Sequence, residues 1–222
     1  MRKRIVPLFV GLLAALPSGV FGEDSSGTRL MLVATQQELQ ALLPPDTTLL
    51  HDPSTIEKFL AALDKAPPDW HALHGSSGDH PSEQLFALNR ERDGLRVGRH
   101  ALAQRITFLW DGVLSGYAPD KNGFLVAIGP EMIATKWGIV RFKPENLPDE
   151  LMAVPPAHLK ESLRARAARG ETFKVIVAMT GRLVPDESFI YDFAHEDPGQ
   201  GMIMPMVRVE QIDYFIGRTS TR

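Results

Sequence analysis

The sequence predicts an α+β protein, in which a small N-terminal α/β unit precedes a C-terminal half built mainly from β-strands. Apolar residues recur at helical spacing before residue 66 and alternate with a period of two after residue 105. Of the 222 residues, 44% are hydrophobic and 23% are charged, a balance typical of a folded globular protein. The chain contains no cysteine, which excludes disulfides, thiolate metal sites and cysteine nucleophiles.

The first 22 residues have the three parts of a secretory signal peptide. A basic start is followed by the apolar run Ile5–Leu16, and Val20-Phe21-Gly22 offers a cleavage site before Glu23. A membrane anchor, the alternative, needs about 20 apolar residues, which is longer than this run. Cleavage would remove three basic residues and leave a net charge of −6. We therefore expect a periplasmic or secreted bacterial protein with no membrane span after cleavage.

Residues 23–66 are predicted to form a β-α-β-α unit. A capping-box spacing occurs at Thr35 and Glu38 and again at Ser54 and Glu57, and it predicts where the two helices begin. The second helix has one apolar stripe, as expected for an element that packs on a core.

Residues 67–104 are predicted to be a helical connector. Asp69 is placed to cap a single helical turn, and a longer helix is expected over 83–92, ended by Gly94. The alternating charges of residues 90–93 are typical of a solvated ion-pair face of small energetic value.

From Arg105 onwards the pattern becomes that of strands. Ile106, Phe108 and Trp110 alternate with Thr107 and Asp111, which predicts a half-buried strand. The further predictions are strands at 123–128, 137–142, 172–184, 188–193 and 206–216, a helix at 157–169 capped by Gly170, and a flexible tail at 217–222.

The order of elements in residues 105–216 resembles that of the OB-fold barrel, with one helix between the third and fourth strands. The run Phe173–Leu183 is similar to the fourth strand of small exported OB-fold domains, in which a glycine such as Gly181 lets the strand curve. Val207–Ile212 is similar to their closing strand, whereas Tyr191–Gly201 departs as a long insertion. The resemblance implies an OB-like β-barrel domain with a ligand-facing surface on strands two and three.

Four residues on or beside the first three of these strands are candidates for binding a ligand: Tyr117, Phe124, Trp137 and Arg141. Aromatic rings with a nearby cation are how OB-type surfaces hold extended ligands. The alternative is that Phe124 and Trp137 are ordinary core residues. The negative charge argues against nucleic acid, and favours an envelope protein, a peptide or a glycan as the partner.

Three histidines within ten residues form a candidate metal site: His71, His74 and His80. The first two are three residues apart and would share one face of a helical turn. We expect no cofactor, but as an alternative these histidines and a neighbouring acid could bind zinc or another borderline metal. The alternative is an exposed loop whose histidines are solvated or pack beside Trp70.

These observations favour an exported, non-catalytic binding or assembly module. No dinucleotide, phosphate-loop or H-E-x-x-H motif occurs, and no catalytic residue can be assigned. One alternative is a metal-dependent hydrolase that uses the histidines of residues 71–80. Another is an inhibitor or immunity-like protein that binds one envelope partner.

Overall fold

The protein is described by a computed structural model covering residues 29–75, 81–194 and 200–217. The strands are β1 Leu30–Val33, β2 Thr47–Leu50, β3 Arg105–Ala118, β4 Gly123–Ile128, β5 Ile133–Thr135, β6 Gly138–Val140, β7 Lys143–Glu145, β8 Met152–Ala153, β9 Phe173–Leu183, β10 Phe189–Phe193 and β11 Gly201–Gly217. The helices are α1 Gln36–Leu42, α2 Pro53–Leu63, α3 Trp70–Gly75, α4 Pro81–Arg96 and α5 Ala157–Ala168, with a 3-10 turn at His100–Ala103.

These elements confirm the mixed α+β class. The predicted signal peptide at 1–22, the polar start at 23–28 and residues 218–222 of the predicted tail lie outside the described residues. Within the described ranges, no helix combines the length and apolar character needed to cross a bilayer.

One large, mostly antiparallel sheet organises the molecule. Its strand order is β5-β6-β11-β9-β3-β4-β8, and β3 pairs with β9 over ten positions, from Arg105 opposite Arg182 to Leu114 opposite Phe173. Among the described residues, the sheet is not closed by a strand ladder, because β1, which pairs with β11, is joined to the segment after β8 only through the single isolated bridge of Arg29 with Val154. The predicted OB-like barrel is therefore not confirmed. The predicted strand at 137–142 is only the short β6, and the helix α5 lies between β8 and β9.

The N-terminal strands belong to this same sheet. β1 pairs in parallel with β11, and β2 pairs in parallel with β3. Three threonine hydroxyls form a chain of hydrogen bonds across β2, β3 and β9. The Oγ1–Oγ1 distances are 2.9 Å from Thr47 to Thr107 and 2.6 Å from Thr107 to Thr180. Residues 29–66 therefore share their sheet with the C-terminal half.

The two caps of the N-terminal helices differ in how well the sequence predicted them. Thr35 caps α1 as predicted, since its hydroxyl accepts a hydrogen bond from the Glu38 amide at 3.2 Å. The predicted cap at Ser54 is wrong. Asp52 is the cap of α2, and its carboxylate accepts a hydrogen bond from the Thr55 amide at 2.9 Å. Pro53 then occupies the first helical turn, where its missing N–H costs nothing.

The helix α4 also differs from its prediction. It runs through Gly94 to Arg96, because Arg96 is buried and forms an ion pair of 2.7 Å with Asp64. Arg92 contacts the same carboxylate at 3.2 Å, and Asp93 pairs with Arg96 at 2.8 Å. The prediction of a solvated ion-pair face at residues 90–93 is therefore wrong for Arg92 and Asp93, which join a partly buried network.

The two faces of the sheet are covered differently. On the main face, Phe173, Val175 and Val177 of β9 join the larger core. On the opposite face, Ala178 joins a smaller core with Leu39 of α1, and partly buried Leu109 and Ile176 pack against it. The short helix α1 covers only part of this second face, and a cleft opens beside it.

Candidate ligand-binding cleft

The four predicted ligand-binding residues lie in two separate places. Tyr117 and Phe124 meet across β3 and β4, with ring centroids 5.1 Å apart, and the Arg164 guanidinium lies 4.6 Å above the Tyr117 ring. Trp137 lies between β5 and β6, three strands away in the sheet order, and Arg141 follows β6. The structure therefore does not bring the four residues onto one surface.

Their burial differs as well. Phe124 is 1% exposed and Trp137 is also buried, so both pack in the core, as the alternative interpretation expected. The Trp137 carbonyl accepts a hydrogen bond of 2.7 Å from the indole of Trp70. Tyr117 and Arg141 are half-buried and reach solvent.

The predicted histidine site is described only in part. His71 and His74 are exposed on α3, and the His74 ring packs on Phe193 with centroids 4.2 Å apart. His80 lies outside the described residues. Within the described ranges, no three histidine or carboxylate side chains converge as metal ligands would. The zinc site stays a prediction.

A cleft of about 420 Å³ lies beside α1 on the second face of the sheet. We call it the α1 cleft. Its apolar wall is formed by Val33, Leu39, Leu109, Ile133 and Ile176. Its polar side chains are those of Thr35, Gln36, His51, Asp111 and Glu131. They come from the start of α1, the segment after β2, the strand β3 and the segment before β5, so the cleft is assembled from distant parts of the chain.

Strand periodicity explains how Asp111 reaches an apolar cleft. Leu109 and Asp111 are two residues apart on β3 and therefore share a face. Asp111 lies opposite Ile176 of β9 in the antiparallel register, and Ile176 also lines the cleft. The carboxylate is exposed, so its charge is solvated and does not disturb the core.

Glu131 is the second carboxylate of the cleft, and its pKa is raised. Partial exclusion of water by its surroundings contributes most, although the residue still reaches solvent, and the negative charge of Asp111 adds to the effect. Two carboxylates in one cleft make a place where a cation is stabilised.

His51 supplies a third polar group. Its Nε2 atom lies 3.3 Å from the Asp52 carboxylate and hydrogen-bonds with the side-chain amide of Gln36. Its Nδ1 atom is buried and has no hydrogen-bond partner among the described residues. A buried ring nitrogen usually finds a partner, so His51 offers a hydrogen bond to a ligand or to water in the cleft.

Sequence reasoning missed this cleft. Asp111 interrupts an apolar strand at an outward position, and this is the one local signal that points to it. Glu131 and His51 have no such signal, because their proximity to Asp111 depends on the pairing of distant strands. Comparison of the chain with protein-family models, curated proteins and solved structures finds no match.

Proposed function

We propose that the protein is an exported, non-catalytic binding module whose α1 cleft holds a ligand that combines an apolar group with a positive charge. The observation that carries the proposal is the pair Asp111 and Glu131 beside an apolar wall. The cleft volume lies within the range of about 300–1,000 Å³ that is usual for small-ligand sites. A basic peptide side chain or a peptide amino terminus has the required chemistry.

The energetics favour a cation over other ligands. A ligand ammonium near both carboxylates would offset their mutual repulsion and the partial desolvation of Glu131. The apolar walls add the free energy of burying the ligand's hydrocarbon, about 25 cal/mol per Å². A carboxylate ligand would meet two like charges, and a neutral ligand would leave them uncompensated.

Binding is tested with three probes that share one apolar body. Calorimetric titrations use 4-phenylbutylamine, 4-phenylbutan-1-ol and 5-phenylvalerate, in which the same phenylbutyl group carries an ammonium, a hydroxyl or a carboxylate. We expect the amine to bind at least tenfold more tightly than the alcohol, and the acid to bind more weakly still. Glu131→Gln and Asp111→Asn should each weaken amine binding about tenfold, which corresponds to roughly 1.4 kcal/mol.

The matched control is Asp149→Asn, which removes one carboxylate from an exposed position outside the cleft. It should leave amine binding unchanged, so that a loss in the cleft variants cannot be attributed to net charge. Equal affinity for the three probes, or unchanged binding in both cleft variants, would contradict the proposal. Export is tested separately, since the intact mass of protein recovered from a periplasm should show cleavage before Glu23.

A second candidate function uses the same pair of carboxylates for acid–base catalysis. The raised pKa of Glu131 and its place in the same cleft as Asp111 favour it, because a raised pKa brings a carboxyl closer to the pH at which general acids work. Covalent change of an amine-bearing peptide during the titration, lost in Glu131→Gln, would favour catalysis over binding alone.

A further inference from the structure

A second cavity, of about 620 Å³, lies beneath α5 and is independent of the α1 cleft. We call it the α5 cavity. Its apolar wall consists of Leu32, Leu159, Leu163, Phe173 and Ile216, which join or pack against the main core. Its remaining side chains are those of Ser162, Arg166, Thr172 and Lys174. Among the residues that the structure describes, only Gly217 is common to the linings of both cavities.

The charges of the α5 cavity are opposite in sign to those of the α1 cleft. The Arg166 guanidinium lies 4.7 Å above the Phe173 ring and donates a hydrogen bond of 2.6 Å to Glu171. Arg169 shares that carboxylate through a hydrogen bond of 2.8 Å. Glu171 therefore balances only one of two guanidinium charges.

Lys174 adds a further positive charge to the cavity. Its side chain is exposed, and no ion pair of Lys174 is found in the part of the chain that the structure describes. The ammonium is therefore available to a ligand carboxylate. It also borders a shallow groove that contains Asp111, so a test of the cavity needs a second variant on α5.

We propose that the α5 cavity binds a free fatty acid, with the acyl chain against the apolar wall and the carboxylate between Lys174 and Arg166. An apolar cavity with an uncompensated positive rim matches a ligand that has a long hydrocarbon and one negative charge. The guanidinium can hold a carboxylate through paired N–H donors, and the lysine contributes a point charge. The volume lies within the usual range for a small-ligand site.

The test is calorimetric titration of the purified protein with decanoate and decylamine, which share one chain length and differ in charge. We expect decanoate to bind with one molecule per chain and decylamine to bind at least tenfold more weakly. Lys174→Gln and Arg166→Gln should each weaken decanoate binding at least fivefold. Ser162→Trp, which places a large side chain at an exposed position on the rim, should weaken it further without unfolding the protein.

The matched control is Lys58→Gln, which removes one exposed lysine charge from α2, away from both cavities. It should leave decanoate binding unchanged. Equal binding of both probes, or binding that neither Lys174→Gln nor Arg166→Gln reduces, would overturn the proposal. Sedimentation with phosphatidylglycerol vesicles, in the absence of decanoate binding, would also overturn it by pointing to a membrane lipid.

The proposals for the α5 cavity and for the α1 cleft can be tested and rejected separately. Glu131→Gln should weaken binding of 4-phenylbutylamine and leave decanoate affinity unchanged. Arg166→Gln should do the reverse. A variant that alters both affinities equally would show that the two cavities are not independent, and would contradict the assignment of a separate fatty-acid site.

Discussion

Arg96 donates two hydrogen bonds to the Asp64 carboxylate, from Nε to Oδ1 at 2.9 Å and from Nη2 to Oδ2 at 2.7 Å. Both side chains are almost fully buried, with 1% and 4% exposed. The Tyr191 hydroxyl donates to Asp64 Oδ2 and accepts a hydrogen bond of 3.0 Å from Arg96. Asp64 caps the C-terminus of α2, Arg96 is the last residue of α4 and Tyr191 lies in β10, so this cluster connects three elements.

The first prediction is that Asp64→Asn destabilises the protein by about 3 kcal/mol, because it leaves the buried Arg96 charge with only the partly exposed Asp93 as a counter-charge. Urea unfolding at pH 7 measures the loss. The control is Glu161→Gln, which breaks an exposed ion pair with Arg164 and should cost at most about 1 kcal/mol. Equal losses of unfolding free energy in the two variants would show that the buried ion pair stabilises the protein no more than the exposed one, which would contradict the prediction.

The second prediction concerns acid pH. Burial raises the pKa of Asp64, but the hydrogen bonds from Arg96 and Tyr191 and the nearby guanidinium charges outweigh it, so the pKa lies below its ordinary value. A carboxyl with a lowered folded-state pKa stabilises the fold above its unfolded-state pKa. This contribution is lost as the pH falls below about 4 and through the folded-state value. Unfolding free energies measured from pH 7 to acid should therefore converge for the wild type and Asp64→Asn.

Local patterns predicted much of the fold. The helix predicted at 157–169 is α5, and Gly170 has the positive φ of 81° that favours glycine after a helix. The strand predicted at 172–184 is β9, because its alternating apolar residues face a core. The hydrogen bond from the Glu38 amide to the Thr35 hydroxyl also spans only three residues, within reach of sequence reasoning, although the Glu38 carboxylate accepts from the Ala34 amide rather than from Thr35.

Features that depend on distant pairing were missed. Gly94 was predicted to end a helix that continues, since the gain from burying Arg96 against Asp64 outweighs the low helix propensity of one glycine. Asp111 and Glu131 lie 20 positions apart and meet only once β3 and β5 are placed in the sheet. The same limit explains the unconfirmed barrel, because the order of strands along a chain does not determine whether a sheet closes.

The third prediction contrasts two glycines. Gly201 lies at the end of the predicted insertion Tyr191–Gly201 but begins β11, and a Cβ there would overlap the indole ring of Trp70. Gly201→Ala should therefore lower stability by about 1–3 kcal/mol through overpacking. Gly94→Ala is the control, since a Cβ there meets nothing within 4 Å and the residue lies inside a helix. It should raise stability by about 0.5–1 kcal/mol. Thermal unfolding of both variants tests the contrast, and a loss in Gly94→Ala would contradict it.

The fourth prediction is that Asp213→Asn stabilises the protein at neutral pH. Burial raises the pKa of Asp213, and one hydrogen bond of 2.8 Å from the Gln211 amide offsets this only in part. Because the pKa of Asp213 is higher in the folded state than in the unfolded state, ionisation of this carboxyl destabilises the fold. The stability is therefore lost as the pH rises from the unfolded-state pKa through the folded-state pKa. Asparagine keeps an acceptor for Gln211 and carries no charge. Denaturant titrations should show a gain at pH 7 that vanishes below about pH 4, and a constant difference would contradict the prediction.

The fifth prediction follows from the proposed cation site in the α1 cleft. Amine binding needs the Glu131 carboxylate ionised, and its pKa is raised by partial desolvation and by the charge of Asp111. As the pH is lowered, the affinity for 4-phenylbutylamine should therefore begin to fall at a higher pH than it would if Glu131 had the ordinary glutamate pKa of 4.5. Glu131→Gln should bind the amine more weakly at pH 7 and should lose that part of the pH dependence. Calorimetric titrations between pH 4 and 8 measure both curves. Parallel curves for wild type and variant would mean that Glu131 does not face the bound charge, and the cation would then have to be held by Asp111 alone.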